Sequence, residues 1–251
     1  MTTLSIHDLE PQLAANRRFW CGWAGDRPDT DLTLYRTDVD HVLFNGVLRV
    51  CDQPLDQAVE KAKKHLAGTR WSWWVSADSD EGTADGLAAR GGELISDMPV
   101  MAIDVTTVRD ARMPEGLTIR PAAGDSEVHD YVYAYAGPLG LEGDLDLVVD
   151  RELRFSYPNV IRLAGIVDGE TVGTCTVSLG TTDVGALYCI ATDPAYRRRG
   201  IATALTREAL RIVRESGRRV ATLQASSEGE PVYRNIGFET VTRYRLFTFS
   251  E

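Results

Sequence analysis

The sequence predicts an α/β protein in which helices pack on a mixed β-sheet. Runs rich in β-branched and aromatic residues alternate along the chain with runs that repeat apolar residues at helical spacing. One apolar run, at 184–192, leads through a short turn directly into a helix-patterned run at 201–214. A comparable order of strand, helix, strand, helix and strand occupies residues 41–105. We therefore expect one full α/β unit preceded by a partial second copy.

The C-terminal part supplies most of these elements. Asp168-Gly169 is a typical hairpin turn between two strand-like runs. Ser126 is a candidate helix cap, and Gly217 is expected to end the helix that starts at Ile201. The expected helices cover 126–136, 145–155 and 201–214, and the expected strands cover 116–121, 160–167, 171–179, 184–192, 220–225 and 240–249.

The turn between the strand at 184–192 and the following helix is an expected anion site. It reads Arg197-Arg198-Arg199-Gly200-Ile201-Ala202. The free N–H groups of a first helical turn point outward, and the helix dipole adds about half a positive charge there. Glycine lets a phosphate approach the backbone closely, and the arginines add bidentate donors.

This turn resembles the Arg/Gln-x-x-Gly-x-Gly/Ala pyrophosphate loop of the GNAT superfamily of N-acetyltransferases, and residues 197–202 match it at every position. The segment Tyr233-Arg234-Asn235-Ile236-Gly237-Phe238 is similar to the Tyr-x-x-x-Gly-Phe segment that closes the same domain. The resemblance covers residues 117–249. It implies a GNAT fold with splayed central parallel strands, and acetyl-CoA as the co-substrate. A P-loop and a Rossmann site are excluded, because the chain has neither Gly-Lys-Ser/Thr nor Gly-x-Gly-x-x-Gly.

The same resemblance implies roles for individual residues. The backbone of Ile190 is expected to bind the thioester oxygen, and Tyr233 is expected to protonate the departing sulfur. A phenol is protonated at neutral pH and can serve as a general acid. The pantetheine arm is expected along Ile190, Ala191 and Thr192, and the diphosphate at Arg197, Arg198, Arg199, Gly200, Ile201, Ala202 and Thr203.

The general base is where the sequence departs from the family. Many relatives carry glutamate early in the strand before the phosphate loop, and here that position is Ala186. Strict alternation would place Ala186, Tyr188, Ile190 and Thr192 on one face, so that Tyr188 could face the acceptor or belong to the core. The other candidates, acting through water, are Glu142, Asp144, Glu228 and His129.

The N-terminal part is interpreted as a degenerate copy of the fold at an offset of about 145 to 149 residues. We predict two domains, 1–108 and 115–251. The first copy has no glycine and two acidic residues at 49–56, where its phosphate loop would lie, so one cofactor site per chain is expected. All five tryptophans lie in this copy, and they could form core, a domain interface or the wall of a pocket: Trp20, Trp23, Trp71, Trp73 and Trp74.

Composition limits the classes of partner. The formal net charge of -10 argues against nucleic acid and against an anionic membrane surface. No apolar run approaches the roughly 20 residues needed to span a bilayer. The four cysteines show no paired spacing, which favours reduced thiols and a cytoplasmic location. No metal site is indicated, and a monomer and a homodimer are both compatible with the sequence.

Three functions remain in competition. The first is a CoA-dependent N-acetyltransferase in which the primary amine of a small molecule attacks acetyl-CoA directly, with Glu142 and Asp144 as candidate partners of an ammonium group. The second is an acyltransferase that uses another acyl group or acts on a peptide N-terminus. The third is a non-catalytic acyl-CoA-binding or regulatory protein. The missing strand carboxylate favours the third, whereas the phosphate loop and Tyr233 oppose it.

Overall fold

The computed structural model describes residues 4–28, 30–109, 112–155, 159–180 and 183–249. These residues form seven α-helices and ten strands. The helices are α1 Leu9–Ala24, α2 Leu55–His65, α3 Thr83–Ala88, α4 Asp125–Ala136, α5 Leu145–Arg154, α6 Ile201–Glu215 and α7 Glu230–Ile236. The strands are β1 Leu32–Arg36, β2 Asn45–Val50, β3 Ser72–Val75, β4 Gly92–Asp104, β5 Thr118–Pro121, β6 Val160–Val167, β7 Glu170–Ser178, β8 Val184–Thr192, β9 Val220–Gln224 and β10 Glu239–Phe249.

All ten strands form one mixed sheet in the order β1-β2-β3-β10-β4-β9-β8-β7-β6-β5. The pairs β2–β3 and β8–β9 are parallel, and the other neighbours are antiparallel. The predicted α/β class is therefore confirmed. None of the described helices is both long and apolar enough to cross a lipid bilayer.

Four elements differ from the local expectations. Helix α1 and strand β1 were not anticipated, and the last strand of the first half, which the sequence predicts over 99–105, is β4 and begins at Gly92. Helix α4 is capped at Gly124, not at Ser126, because the Glu127 carboxylate accepts the Gly124 N–H at 3.2 Å. The helix therefore starts at Asp125, one residue earlier than expected.

The two halves of the chain repeat the same path through the sheet. Each half has a parallel strand pair joined by a helix, then a short helix, a glycine with positive φ and a long last strand. The offset is 146 residues, from Gly91 to Gly237 and from Met98 to Tyr244. Met98 and Tyr244 pair with each other near the middle of the β4–β10 ladder, so a local pseudo-twofold axis passes between them. The predicted second copy is present.

The halves exchange their last strands. Strand β10 lies between β3 and β4, and β4 lies between β10 and β9. Each last strand therefore fills a sheet position next to the penultimate strand of the other half. The boundary that we place between residues 108 and 115 falls in the connection from β4 to β5, and it stays a prediction, because the sheet itself runs continuously across both halves.

Helix α1 crosses from the first half onto the sheet of the second. The buried Arg17 guanidinium binds Asp78 and Glu10, and Asn16 Nδ2 donates to the Tyr244 hydroxyl at 3.3 Å. An ion pair of this kind holds its partners in one geometry, because a lone buried charge would be costly. The helix is thereby fixed with the Phe19 ring stacked on Tyr188 of β8, with centroids 3.6 Å apart.

Candidate active site

The parallel strands β8 and β9 separate partway along their length. Their pairing runs from Val184 with Val220 to Leu187 with Leu223 and stops there. Strand β9 remains paired with β4 on its other side as far as Gln224. A gap therefore opens between the carboxyl ends of these two strands. On the side that faces β9, the last residues of β8 have no strand to pair with.

A β-bulge at Cys189 aims the end of β8 into this gap. Cys189 has φ of 48°, and the register with β7 slips by one residue between Tyr188 and Ala191. The Thr174 hydroxyl donates to the Cys189 carbonyl at 2.7 Å, which holds the turned peptide. A non-glycine residue in this conformation is strained and persists where the surrounding structure fixes it, often at functional sites.

The bulge overturns the strict alternation that we predicted for β8. Ala186 and Tyr188 pack into the core below α1, whereas Ile190 packs on the opposite side, with the cluster that contains residues of α6. The extra residue in β8 reverses the faces after Cys189. Ile190 therefore does not share a face with Ala186 and Tyr188.

A cavity of about 160 Å³ lies at the open end of the gap. Ile190 and Tyr233, the two residues with predicted catalytic roles, both contribute to its wall. Aromatic side chains of the first half, Trp20, Phe44 and Trp74, form another part of it. The remaining lining residues are His41, Leu43, Met98, Leu139, Leu187, Tyr188, Cys189, Gln224 and Ser226.

Tyr233 is buried on α7 and packs closely against its surroundings. Burial raises the pKa of its hydroxyl above the ordinary value, so the phenol stays protonated at neutral pH. A Cβ placed on Gly229 would lie 2.9 Å from the Tyr233 ring, so glycine at this position lets the ring sit against the preceding turn. The side chain can donate a proton within the cavity.

The turn at 197–200 has the geometry of an anion-binding loop. Arg198 and Gly200 both have positive φ, 61° and 83°, and Gly200 is the N-cap of α6. Backbone N–H groups in such a turn and in the first turn of a helix converge on a concave surface that favours anions. Arg197 Nη1 lies 3.3 Å from Glu228 Oε2, and the Arg199 guanidinium lies over the Tyr196 ring at 4.8 Å.

None of the carboxylates or histidines proposed as a base lines the cavity, within the part of the chain that the structure describes. Asp144 caps α5, and Glu228 pairs with Arg197. Glu142 is exposed, as is His129, whose ring stacks on Tyr133. Tyr188 does line the cavity, but burial raises the pKa of its hydroxyl, so it cannot act as a phenolate near neutral pH.

His41 is a cavity residue that sequence reasoning missed. Burial and the nearby Arg70 lower the pKa of its imidazole. The Leu43 N–H donates to His41 Nδ1 at 3.2 Å. Because Nδ1 accepts this hydrogen bond, the proton of the neutral ring resides on Nε2. Nε2 is therefore a hydrogen-bond donor and cannot act as a base. Its position in an irregular segment before β2 carries no motif that could have identified it.

The comparison with known families agrees with this geometry. A model of the acetyltransferase (GNAT) family matches residues 129–238, from α4 to the residue before β10. This segment belongs to the GNAT acetyltransferase family. It contains the bulged strand, the phosphate-loop motif and Tyr233.

Solved structures share the fold over most of the chain. A GCN5-related N-acetyltransferase from Kribbella flavida is 18% identical, with a TM-score of 0.71 over 96% of this chain and 95% of that one. A GCN5-related N-acetyltransferase from Sphaerobacter thermophilus is 21% identical, with a TM-score of 0.61 over 76% and 64%. A tandem GNAT protein from the clavulanic acid biosynthesis pathway is 17% identical, with a TM-score of 0.55 over 76% and 67%. No curated protein matches the chain.

The corresponding gap in the first GNAT-like half is closed. The Val50 carbonyl accepts the Asp80 N–H at 3.0 Å, and Ser79 Oγ accepts the Val50 N–H at 3.3 Å. Ligand atoms of Asp31, Cys51 and Asp52 lie together where this half would need a phosphate loop. The end of β2 is therefore already hydrogen-bonded, and its surroundings carry negative charge that repels a diphosphate.

Proposed function

We propose that the protein is a CoA-dependent N-acetyltransferase that transfers the acetyl group of acetyl-CoA to the primary amine of a small molecule. The observation that carries the proposal is the grouping of three features around one end of the sheet. The arginine-rich turn opens α6, strands β8 and β9 separate before it, and Ile190 and Tyr233 line a partly open cavity at that separation.

Each part of acetyl-CoA has a matching feature along this path. The diphosphate would bind the N–H groups from Arg198 to Thr203, with charge from the arginines. The pantetheine amides would pair with Ile190, Ala191 and Thr192 on the side of β8 that faces β9, beyond the end of the β8–β9 ladder, as an added strand would. The thioester would then lie at the edge of the cavity, beside Ile190 and Tyr233.

The reaction needs a hydrogen-bond donor for the carbonyl oxygen of the thioester and an acid that protonates the departing sulfur. The Ile190 N–H would bind the thioester oxygen and stabilise the oxyanion that forms as the amine attacks. Collapse of that intermediate breaks the C–S bond, and Tyr233 would protonate the sulfur. The phenol is protonated at neutral pH, as this role requires, and burial raises its pKa further.

Thiol release with a panel of amines tests the proposal. Turnover with small amines supports it, whereas turnover only with peptides favours the peptide acceptor. Binding of acetyl-CoA without turnover across the panel would instead identify a regulatory acyl-CoA-binding protein.

Tyr233→Phe is expected to reduce kcat tenfold or more, because it removes the acid and leaves the ring packing. The dissociation constant of acetyl-CoA should change little, because the Tyr233 hydroxyl interacts with the thioester sulfur only while the C–S bond breaks. Tyr133→Phe, on the exposed face of α4, is the matched control. An unchanged kcat in Tyr233→Phe would remove this residue from the mechanism.

One acetyl-CoA is expected to bind per chain. The gap of the first half is hydrogen-bonded and acidic, so within the described ranges only the second half offers a slot and a phosphate-loop motif. Isothermal titration calorimetry with a protein concentration fixed by amino-acid analysis gives the stoichiometry directly. A measured ratio of two would contradict the closed slot.

A further inference from the structure

We propose that the acceptor is a weakly basic amine, uncharged at neutral pH and carried on a flat ring of about benzene size. This inference rests on the acetyl transfer proposed above and concerns the acceptor end of the same cavity. It follows from the size of the cavity, from the charge of its lining and from its unpaired donors.

The size and walls fit one ring. An engineered apolar cavity of about 150 Å³ in another protein holds benzene, and this cavity measures about 160 Å³. The indoles of Trp20 and Trp74 and the ring of Phe44 line it and are buried. Aromatic walls favour a flat, apolar guest through stacked and edge-to-face contacts.

The absence of charge in the lining disfavours an ammonium ion. Among the described residues, no aspartate, glutamate, lysine or arginine lines the cavity. Its titratable members are His41, Tyr188, Cys189 and Tyr233, and the shifts of their pKa values keep all four uncharged at neutral pH. Burying an alkylammonium without an anionic partner is expensive, so a basic amine would have to lose its proton before it enters.

The lining also has more unpaired donors than acceptors. Trp20 Nε1, Tyr188 OH and Gln224 Nε2 are buried without a hydrogen-bond partner. Leaving such groups buried and unpaired is costly, so a bound molecule that supplies acceptors is favoured. The thioester and pantetheine carbonyls can satisfy donors near β9, and an acceptor group on the guest ring, such as an amide carbonyl, can satisfy those near α1.

The proton balance agrees with a neutral amine. Its nitrogen forms the new C–N bond and loses one proton to water, while the C–S bond breaks and the sulfur takes one proton from Tyr233, which water restores. The overall reaction of a neutral amine releases no proton. An ammonium would release one more, and the cavity offers no carboxylate to take it.

The test compares kcat/KM at pH 7 for four amines: aniline, 4-aminobenzamide, benzylamine and cyclohexylamine. We expect aniline and 4-aminobenzamide to exceed the other two at least tenfold, with 4-aminobenzamide the better of the pair. Benzylamine has the flat ring but a basic amine, so it separates charge from shape. Equal or faster turnover of benzylamine or cyclohexylamine would overturn the inference.

A variant of the cavity wall tests the charge argument, because it adds the carboxylate that the lining lacks. Leu139 is partly buried at the cavity wall, so Leu139→Glu adds a carboxylate there, and Leu139→Gln matches its size without charge. We expect the ratio of kcat/KM for benzylamine to that for aniline to rise at least tenfold in Leu139→Glu relative to Leu139→Gln. Equal ratios in a folded pair would refute the charge argument.

Calorimetry with acetyl-CoA in the absence of an amine separates failure of the proposed function from failure of the acceptor assignment. If acetyl-CoA does not bind to the wild-type protein, the proposed function fails. If it binds and thiol release occurs only with basic amines, acetyl transfer stands and the acceptor class is wrong.

Discussion

Gly200→Asp is expected to weaken acetyl-CoA binding at least a hundredfold, about 2.8 kcal/mol at 1.4 kcal/mol per tenfold. Gly200 has φ of 83°, which side chains rarely adopt, and it caps the N-terminus of α6. A Cβ added there would lie 3.5 Å from Pro114 Cγ. The new carboxylate would occupy the place of the diphosphate and repel it.

The matched control is Gly217→Asp, just beyond the other end of the same helix. Gly217 has φ of 82°, and a Cβ there meets nothing within 4 Å. The two variants therefore carry a similar backbone cost, but only one lies at the proposed diphosphate site. Affinity is measured by calorimetry and the free energy of unfolding by denaturant titration. If Gly200→Asp binds acetyl-CoA as tightly as Gly217→Asp does, the diphosphate does not lie at this turn.

The elements around the phosphate loop could be predicted to within a residue or two. The expected helix at 201–214 is α6, Ile201–Glu215, and the expected strand at 184–192 is β8. Both carry strong local signals. Helix α6 has an apolar stripe and a glycine near each end, and β8 is a continuous apolar run between turn residues. Short-range patterns of this kind are sufficient where local preference and tertiary packing agree.

Helix α1 could not be predicted, because tertiary packing overrides its local pattern. It buries Gln12, Asn16 and Arg17 beside its aromatic residues, so no apolar stripe stands out at helical spacing. Arg17 pairs with Asp78 and Glu10, Asn16 donates to the Tyr244 hydroxyl, and Gln12 donates to the Ile6 and Asp8 carbonyls. Asp78 and Tyr244 lie in distant segments, and a single sequence does not reveal these pairings.

The acceptor cavity escaped prediction for the same reason. The family resemblance predicts roles for Ile190 and Tyr233, which lie in one half, but the lining residues Trp20, His41 and Phe44 come from the other half. The bulge at Cys189 also leaves no local mark, since cysteine is neither glycine nor asparagine, the usual residues at positive φ. Which tryptophans would form a pocket wall depends on how α1 crosses onto β8.

The exchange of last strands predicts that residues 115–251 alone will not form a stable monomer. In this fragment β10 would lose all its ladder partners, because both of its neighbours, β3 and β4, belong to the first half. Strand β9 would lose β4 as well, and the buried Tyr244 and Leu246 would be exposed. An uncovered edge and a bare apolar face favour aggregation.

We expect the fragment to be aggregated or to lack a cooperative thermal transition, and we expect co-expression with residues 1–108 to restore a soluble complex that binds acetyl-CoA. The complex is the matched control, because it contains the same fragment and differs only in the strands of the first half. Size-exclusion chromatography, thermal denaturation and calorimetry provide the readouts. A monomeric fragment that unfolds cooperatively and binds acetyl-CoA would show that β10 can pair within its own half. In that case the first half would serve the acceptor cavity through α1, Phe44 and Trp74 without being needed to complete the sheet.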